Sequence, residues 1–219
     1  MTDPVLRRAI IAAADAVESS RDELCSLDAF AGDGDHGVTM ALAARAVRGV
    51  LGSDPDSDPA DLLTKLAVAV GSVGGAIGPL YAAALIRVAA TLRARPSPSA
   101  TPSVEDVRRC AEAAEAAIEG VGGARPGDKT ILDALAPLVT ALRRAESAGT
   151  DLPAALEQAV DAARAGAAST ADMIATVGRA SRLGERGRGS PDPGATSFAI
   201  IVDALVRSWS GSGDEAVRP

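Results

Sequence analysis

Apolar residues recur at spacings of three and four along nearly the whole chain, and this period predicts helix almost everywhere. Asp3-Pro4 has the form of an N-cap and first helical position, opening a helix to about Ser20. "HGVTMALAARAVRGVLG", residues 36–52, predicts a second. The polar stretch "GSDPDSDP" separates it from a third, capped at Asp58-Pro59 and ending near Val73. "VGGAIGPL" interrupts the period and opens a fourth helix, to about Ala94. After "RPSPSATP", Ser103 and Asp106 have capping-box spacing for a fifth. "GVGGARPGDK" is the next break, and a sixth helix starts near Lys129, with Pro137 expected to kink it for want of an N–H. "AGTDLP" leads to a long seventh helix, Leu152 to about Val177. "RLGERGRGSPDPG", 182–194, is the longest polar loop, and an eighth helix covers about 195–209. The expectation is an all-α fold, a single domain over residues 1–210, with a disordered tail at 211–219.

If neighbouring helices run antiparallel, successive loops alternate between the two ends of the bundle. One end collects "GSDPDSDP", "RPSPSATP" and "AGTDLP", which is ordinary turn chemistry. The other collects "AGDGDHG", "VGGAIGP", "PGDKT" and "GRGSPDPGAT". There helices two, four, six and eight all present their N-termini, whose free N–H groups and partial positive charge suit phosphate. Glycine lets the backbone come close to such a ligand. With a strictly up-and-down topology, four such ends around one opening would suit a nucleotide site.

Composition narrows the picture. The chain has 219 residues, 47% hydrophobic, with only four aromatics: Phe30, Tyr81, Phe198 and Trp209. Such a core favours closely packed helices over a sandwich. A formal net charge of −7 disfavours general binding to nucleic acid or an anionic membrane surface. Cys25 and Cys110 lie far apart and form no CxxC or zinc pattern. With no signal-peptide anatomy and no long uninterrupted apolar run, the cytoplasm is the expected setting.

The densest chemistry lies in "LDAFAGDGDHG", residues 27–37, with three aspartates and the only histidine. Asp28, Asp33 and Asp35 repel one another unless a cation lies among them. Oxygen donors without cysteine suit Mg2+ better than Zn2+. The alternative is a turn whose aspartates cap the next helix. His36 is either a nucleotide contact or a hydrogen-bonding residue within its loop. "SVGGAIGPLY" fits neither a Walker A nor a Rossmann loop, and reads equally as a ligand turn or a tight helix crossing. In "PGDKT", Asp128 has the N-cap position. Lys129 in a first turn opposes the helix dipole, so it either meets a ligand anion or stands in solvent. Arg179, Arg182, Arg186 and Arg188 crowd one loop, for phosphate neutralisation, partner docking or plain solvation.

The segments "GDGDHG", "SVGGAIGPLY", "PGDKTILDAL" and "GRASRLGERGRGSPDPGATS", in this order, resemble the nucleotide-binding subunit of dihydroxyacetone kinase. The same domain forms the C-terminal half of single-chain ATP-dependent kinases. The resemblance spans residues 28–197 and implies an antiparallel eight-helix barrel with ADP or ATP bound at one end. It implies two Mg2+ ions on Asp28, Asp33 and Asp35. It places nucleotide contacts at His36, Gly37, Val38, Thr39, Ala76, Ile77, Gly122, Ile131, Arg179, Asp192, Pro193 and Gly194, with Arg179 as the catalytic group. The substrate would be a ketose, such as dihydroxyacetone or erythrulose, held covalently on a histidine of a separate kinase subunit. A phosphohistidine carrier of the phosphotransferase system is a further implied partner. The chain departs from the family where Ile77 replaces a common Ser, Thr39 an Asn, Arg182 a Tyr and Ser190 a His. A nucleotide-binding regulatory protein without catalysis is the non-enzymatic alternative, and related fatty-acid kinase systems use a similar domain.

Overall fold

The computed structural model describes residues 4–95 and 101–210. Among the described residues nine α-helices form, α1 (Pro4–Ser19), α2 (Arg21–Ala31), α3 (His36–Ser53), α4 (Pro59–Gly71), α5 (Ile77–Arg93), α6 (Val104–Gly122), α7 (Leu132–Ser147), α8 (Leu152–Ser169) and α9 (Pro193–Ser210). Short 3₁₀ segments cover Thr170–Asp172 and Ala180–Gly187, and the described residues contain no strand. Eight helices close into a ring: α1 packs on α3, and α3 through α9 each pack on the next. Helix α9 returns to α1 and completes the barrel. Helix α2 stands outside this order, against α3, α9 and the 180–187 segment.

Capping chemistry sets several boundaries. Asp58 accepts from the N–H groups of Ala60 (2.9 Å) and Asp61 (3.1 Å), with Pro59 in the first turn. Ser103 and Asp106 close a reciprocal capping box. The Asp3 cap, most of the 95–102 loop and the 211–219 tail lie outside the described residues.

Three expectations are revised. The stretch between the first two predicted helices contains α2, held by Leu24 with the half-buried Leu27 beside it. Leu24 is fully buried against Val17 and Met40 and is the only buried residue of α2. A helix held by one buried and one half-buried leucine carries too short a stripe for the pattern to reveal. The sixth predicted helix begins at Leu132 rather than Lys129, because Lys129 adopts a left-handed backbone (φ 61°) that cannot continue a helix. It then runs uninterrupted through Pro137 to Ser147. The seventh stops at Ser169 rather than Val177: Met173 is extended, and the buried Thr170 hydroxyl donates to the Ala167 carbonyl (2.5 Å).

Apolar side chains fill the spaces between helices in distinct clusters. Leu132, Leu135, Val139 and Leu142 of α7 centre one cluster with Ile118, Ala159 and Ala163. Leu51, Leu62, Leu63 and Leu66 form another with Ala89. Small residues allow close helix approach. At Gly166 of α8, a Cβ would lie 2.2 Å from the Asp133 carbonyl oxygen of α7.

Candidate nucleotide and metal site

The aspartate loop is shaped by α2 and the start of α3. Asp28 sits on the last turns of α2, and Gly34 takes a left-handed turn (φ 75°) before the chain re-enters helix. One carboxylate oxygen from each of Asp28, Asp33 and Asp35 then lies within 4.8 Å of the others. Asp28 also caps α3: its Oδ2 accepts from the backbone N–H groups of Asp35 (3.0 Å) and His36 (3.3 Å). Asp35 occupies the N-cap position yet makes no side-chain cap bond. Capping therefore accounts for one aspartate of the three. The α2–α3 approach depends on Gly37, where a Cβ would fall 1.9 Å from the Arg21 carbonyl oxygen and 2.9 Å from Cys25 Sγ.

Charge across the loop is unbalanced without a cation. Arg179, 146 positions along the chain, donates to Asp33 and supplies positive charge there. Desolvation pushes the Asp33 carboxyl upward, but the Arg179 hydrogen bond and charge hold it below its ordinary value. Desolvation, then the neighbouring Asp33 charge, push the Asp35 carboxyl upward. Exposed hard oxygens converging at this spacing, with two carboxylates free of capping duty, fit a divalent cation such as Mg2+.

His36 opens α3 and turns its imidazole inward, with Nε2 3.0 Å from the Ser197 hydroxyl of α9. Ser197 is fully buried and donates to the Gly194 carbonyl (3.1 Å). Burial depresses the His36 pKa against the opposing charge of Asp28. Gly37 is buried, Val38 exposed and Thr39 partly buried on the next turn. The sequence singled out His36 but not Ser197, its partner 161 positions away. No local pattern announces that pairing.

The remaining loops converge on the same end. Ala76 and Ile77 form the start of α5. The Ile77 side chain packs with Leu24, Met40 and Ile200, so an apolar plug stands where the family often has a serine. Gly122 ends α6, where a Cβ would meet Leu80 Cδ2 of α5 at 3.3 Å. Ile131 is 6% exposed within the α7 cluster, and its amide nitrogen lies 3.8 Å from where a Gly194 Cβ would stand. Asp192 caps α9 through the Ala195 N–H (2.7 Å), with Pro193 in the first turn. Enclosure pushes the Asp192 carboxyl up to about 6, although the Ala195 and Gly194 N–H groups pull it down. Arg182 stands exposed, and Ser190 is partly buried.

Two residues of "PGDKT" depart from their expected roles. Asp128 caps no helix; it accepts from the Arg125 N–H (2.6 Å) and from the Thr176 hydroxyl. The capping acid is Asp133, which reaches back to the N–H groups of Thr130 (2.7 Å) and Gly127. Lys129 is neither solvated nor in a first turn. It is 5% exposed, and its ammonium donates to the carbonyls of Gly187 (2.6 Å) and Met173 (3.3 Å). Burial lowers its pKa, opposed by the charges of Asp192 and Asp172.

Among the described residues no helix is long and apolar enough to cross a membrane. Cys25 and Cys110 are free thiols.

Comparison with known proteins agrees with this geometry. A family model described as the DAK2 domain matches residues 30–207. The PEP-dependent dihydroxyacetone kinase ADP-binding subunit DhaL of Escherichia coli is 36% identical over 193 residues, covering 88% of this chain and 90% of that protein. The L-erythrulose kinase of Pectobacterium atrosepticum is 37% identical over 200 residues, covering 90% of this chain but 33% of that protein. The chain thus spans about a third of the longer relatives it matches. The crystal structure of the dihydroxyacetone kinase of C. freundii superposes with a TM-score of 0.72 at 27% identity, over 95% of this chain and 35% of that one. The same kinase has been crystallised with AMP-PNP and Mg2+. The match of the family model across four fifths of the chain, on an all-helical barrel shared with that kinase, shows that this protein belongs to the DAK2-domain family.

Proposed function

We propose that this chain is the nucleotide- and Mg2+-binding half of a dihydroxyacetone-type kinase, delivering a phosphoryl group to a ketose held by a partner subunit or domain. The observation that carries the reading is the convergence of Asp28, Asp33 and Asp35 within 4.8 Å, facing Arg179. Relatives of similar length and of threefold length carry kinase names, and three are named as ADP-binding subunits.

In this reading Asp28, Asp33 and Asp35 hold two Mg2+ ions. When bound, the metal neutralises phosphate charge and fixes the phosphoryl group for in-line transfer. The chain's own groups do the rest. The N-terminal turns of α3, α5 and α9 meet the nucleotide at His36, Gly37, Val38 and Thr39, at Ala76 and Ile77, and at Asp192, Pro193 and Gly194; Gly37, Val38 and Ile77 offer backbone N–H groups there, while the His36, Thr39 and Asp192 N–H groups are engaged within the protein. In this reading the exposed Gly122 and the backbone of the buried Ile131 complete the nucleotide contacts. Arg179, paired with Asp33 here, would be placed to neutralise phosphate oxygens beside the carboxylates that would hold the metal. His36, with Nε2 engaged by Ser197, orients rather than attacks. No general base is required of this chain, because phosphoryl transfer depends mainly on positioning and charge neutralisation.

The PEP-dependent name of the E. coli relative favours ADP as a retained cofactor, recharged by a phosphohistidine carrier. Erythrulose kinases among the relatives favour erythrulose as a second candidate acceptor. The expected setting is the cytoplasm, where Cys25 and Cys110 stay reduced. The test is reconstitution of the dialysed protein with a ketose-binding subunit, Mg2+ and ATP, using dihydroxyacetone and erythrulose in parallel. Ketose phosphate should form, and Asp33→Ala and Asp35→Ala should each abolish it. Unchanged transfer by both variants would defeat the metal assignment. ADP that survives extensive dialysis supports the retained-cofactor form, and an empty, freely exchanging site supports ATP as substrate.

A further inference from the structure

The Arg179 segment leaves and re-enters the barrel through a narrow neck. At its base the Asp192 N–H donates to Thr170 Oγ1 (2.8 Å), and the Gly189 N–H donates to the Ala171 carbonyl (2.8 Å). One step further out, the two limbs expose the carbonyls of Met173 and Gly187 toward each other. No backbone donor of either limb bridges them; the Lys129 ammonium does, at 3.3 and 2.6 Å. Beyond this point lies the segment 174–186, which carries Arg179 to Asp33. The Thr176 N–H and hydroxyl, both on Asp128, tie it again to the residue preceding Lys129.

We infer that Lys129 is a positioning residue for Arg179: its buried ammonium is the outermost rung across the neck of the 173–187 segment and fixes where that segment projects. Two observations are hard to explain otherwise. A lysine is buried without a carboxylate hydrogen-bonded to it, and its ammonium donates to two backbone carbonyls from opposite limbs of one loop. Its backbone also takes a left-handed conformation that glycine would adopt more readily, and delivers the side chain from there into the neck. A lysine serving only as solvated surface charge would need neither. Lys129 touches no reacting group in this arrangement; it acts through the loop. The catalytic consequence rests on the proposed role of Arg179, but the structural consequence does not.

Trypsin separates the two. Arg179, Arg182, Arg186 and Arg188 are cleavage sites on or beside the segment, and cleavage of a folded protein reports how often the segment opens. Lys129→Met should be cut there at least about tenfold faster than the wild type, because charge-assisted bonds across the neck are gone. Lys129→Gly tolerates the left-handed backbone and removes the ammonium, so it should fold cooperatively and show the same loosened segment. Wild-type cleavage rates in a folded Lys129→Gly would overturn the inference. In the reconstituted kinase assay, Lys129→Gly should lower kcat in the Arg179 background and have little further effect once Arg179→Ala is present. Fully additive losses would overturn the positioning role while leaving the kinase reading standing. The cleavage rate is read independently of whether any phosphoryl transfer is measured.

Discussion

Asp28 performs two jobs with separable energies. Its Oδ2 caps α3 through two backbone N–H groups, at 3.0 and 3.3 Å. Its charge also faces Asp35 across at most 4.8 Å. Losing such a cap costs about 0.5–2 kcal/mol. Repulsion between unit charges at that separation in a largely solvated loop is roughly 1 kcal/mol and falls with salt. Asp28→Ala loses the cap and relieves the repulsion, so in metal-free, low-salt buffer its net loss is small, about 1 kcal/mol or less. Asp28→Asn keeps an acceptor for α3 and relieves the repulsion, so it should equal or exceed the wild type, by up to roughly 1 kcal/mol. For a chain of this size each kcal/mol moves Tm by about 2–4 °C. Added Mg2+ reverses the order, because it stabilises only a site that can bind it. Thermal unfolding of the three proteins, with and without Mg2+ and ADP, is the assay. If Asp28→Asn is no more stable than Asp28→Ala in metal-free buffer, the carboxylate is not the α3 cap. If Mg2+ raises the Tm of Asp28→Asn as far as that of the wild type, Asp28 is not a metal ligand.

Arg179→Ala should leave thermal stability unchanged, since its pair with Asp33 is solvent-exposed, while phosphoryl transfer in the reconstituted assay falls about 10³-fold or more. Arg179→Lys should recover only part of that loss, because a point charge cannot reproduce the guanidinium fork. Gly37→Ala should destabilise the fold by about 1–3 kcal/mol, since its Cβ would lie 1.9 Å from the Arg21 carbonyl oxygen; Mg2+ titration should show weaker binding as α2 is displaced. Asp192 has a folded pKa of about 6, above its unfolded value, so its favourable contribution is complete below pH 4 and is lost as pH rises through 6. Asp192→Asn keeps an acceptor for the Ala195 N–H and should gain on the wild type across that window, by up to about 3 kcal/mol at pH 7 in denaturant unfolding. A pH-independent difference between the two would show that Asp192 titrates normally.

Local chemistry carried much of the architecture. The caps at Asp58-Pro59 and Ser103–Asp106 form where their spacing requires, because a cap is decided within four residues. The periodic stripes of α3, α4, α5 and α7 are visible because each buries several residues per helix. Helix α2 is hidden because only Leu24 and the half-buried Leu27 hold it. The start of α7 was misplaced because Lys129 gives up helical geometry for two carbonyls 44 and 58 positions away. No window around Lys129 contains that information.

The sequence by itself determined an all-helical chain, its capped loops and the crowding of aspartates into one of them, since period, capping and local charge are properties of neighbours. The closure of α9 on α1 was decided by tertiary packing alone. So were the pairing of Arg179 with Asp33, the seating of His36 on Ser197 and the burial of Lys129 in the neck of the arginine loop. Each joins groups distant along the chain, and such contacts form only once the barrel has offset the entropy of bringing them together.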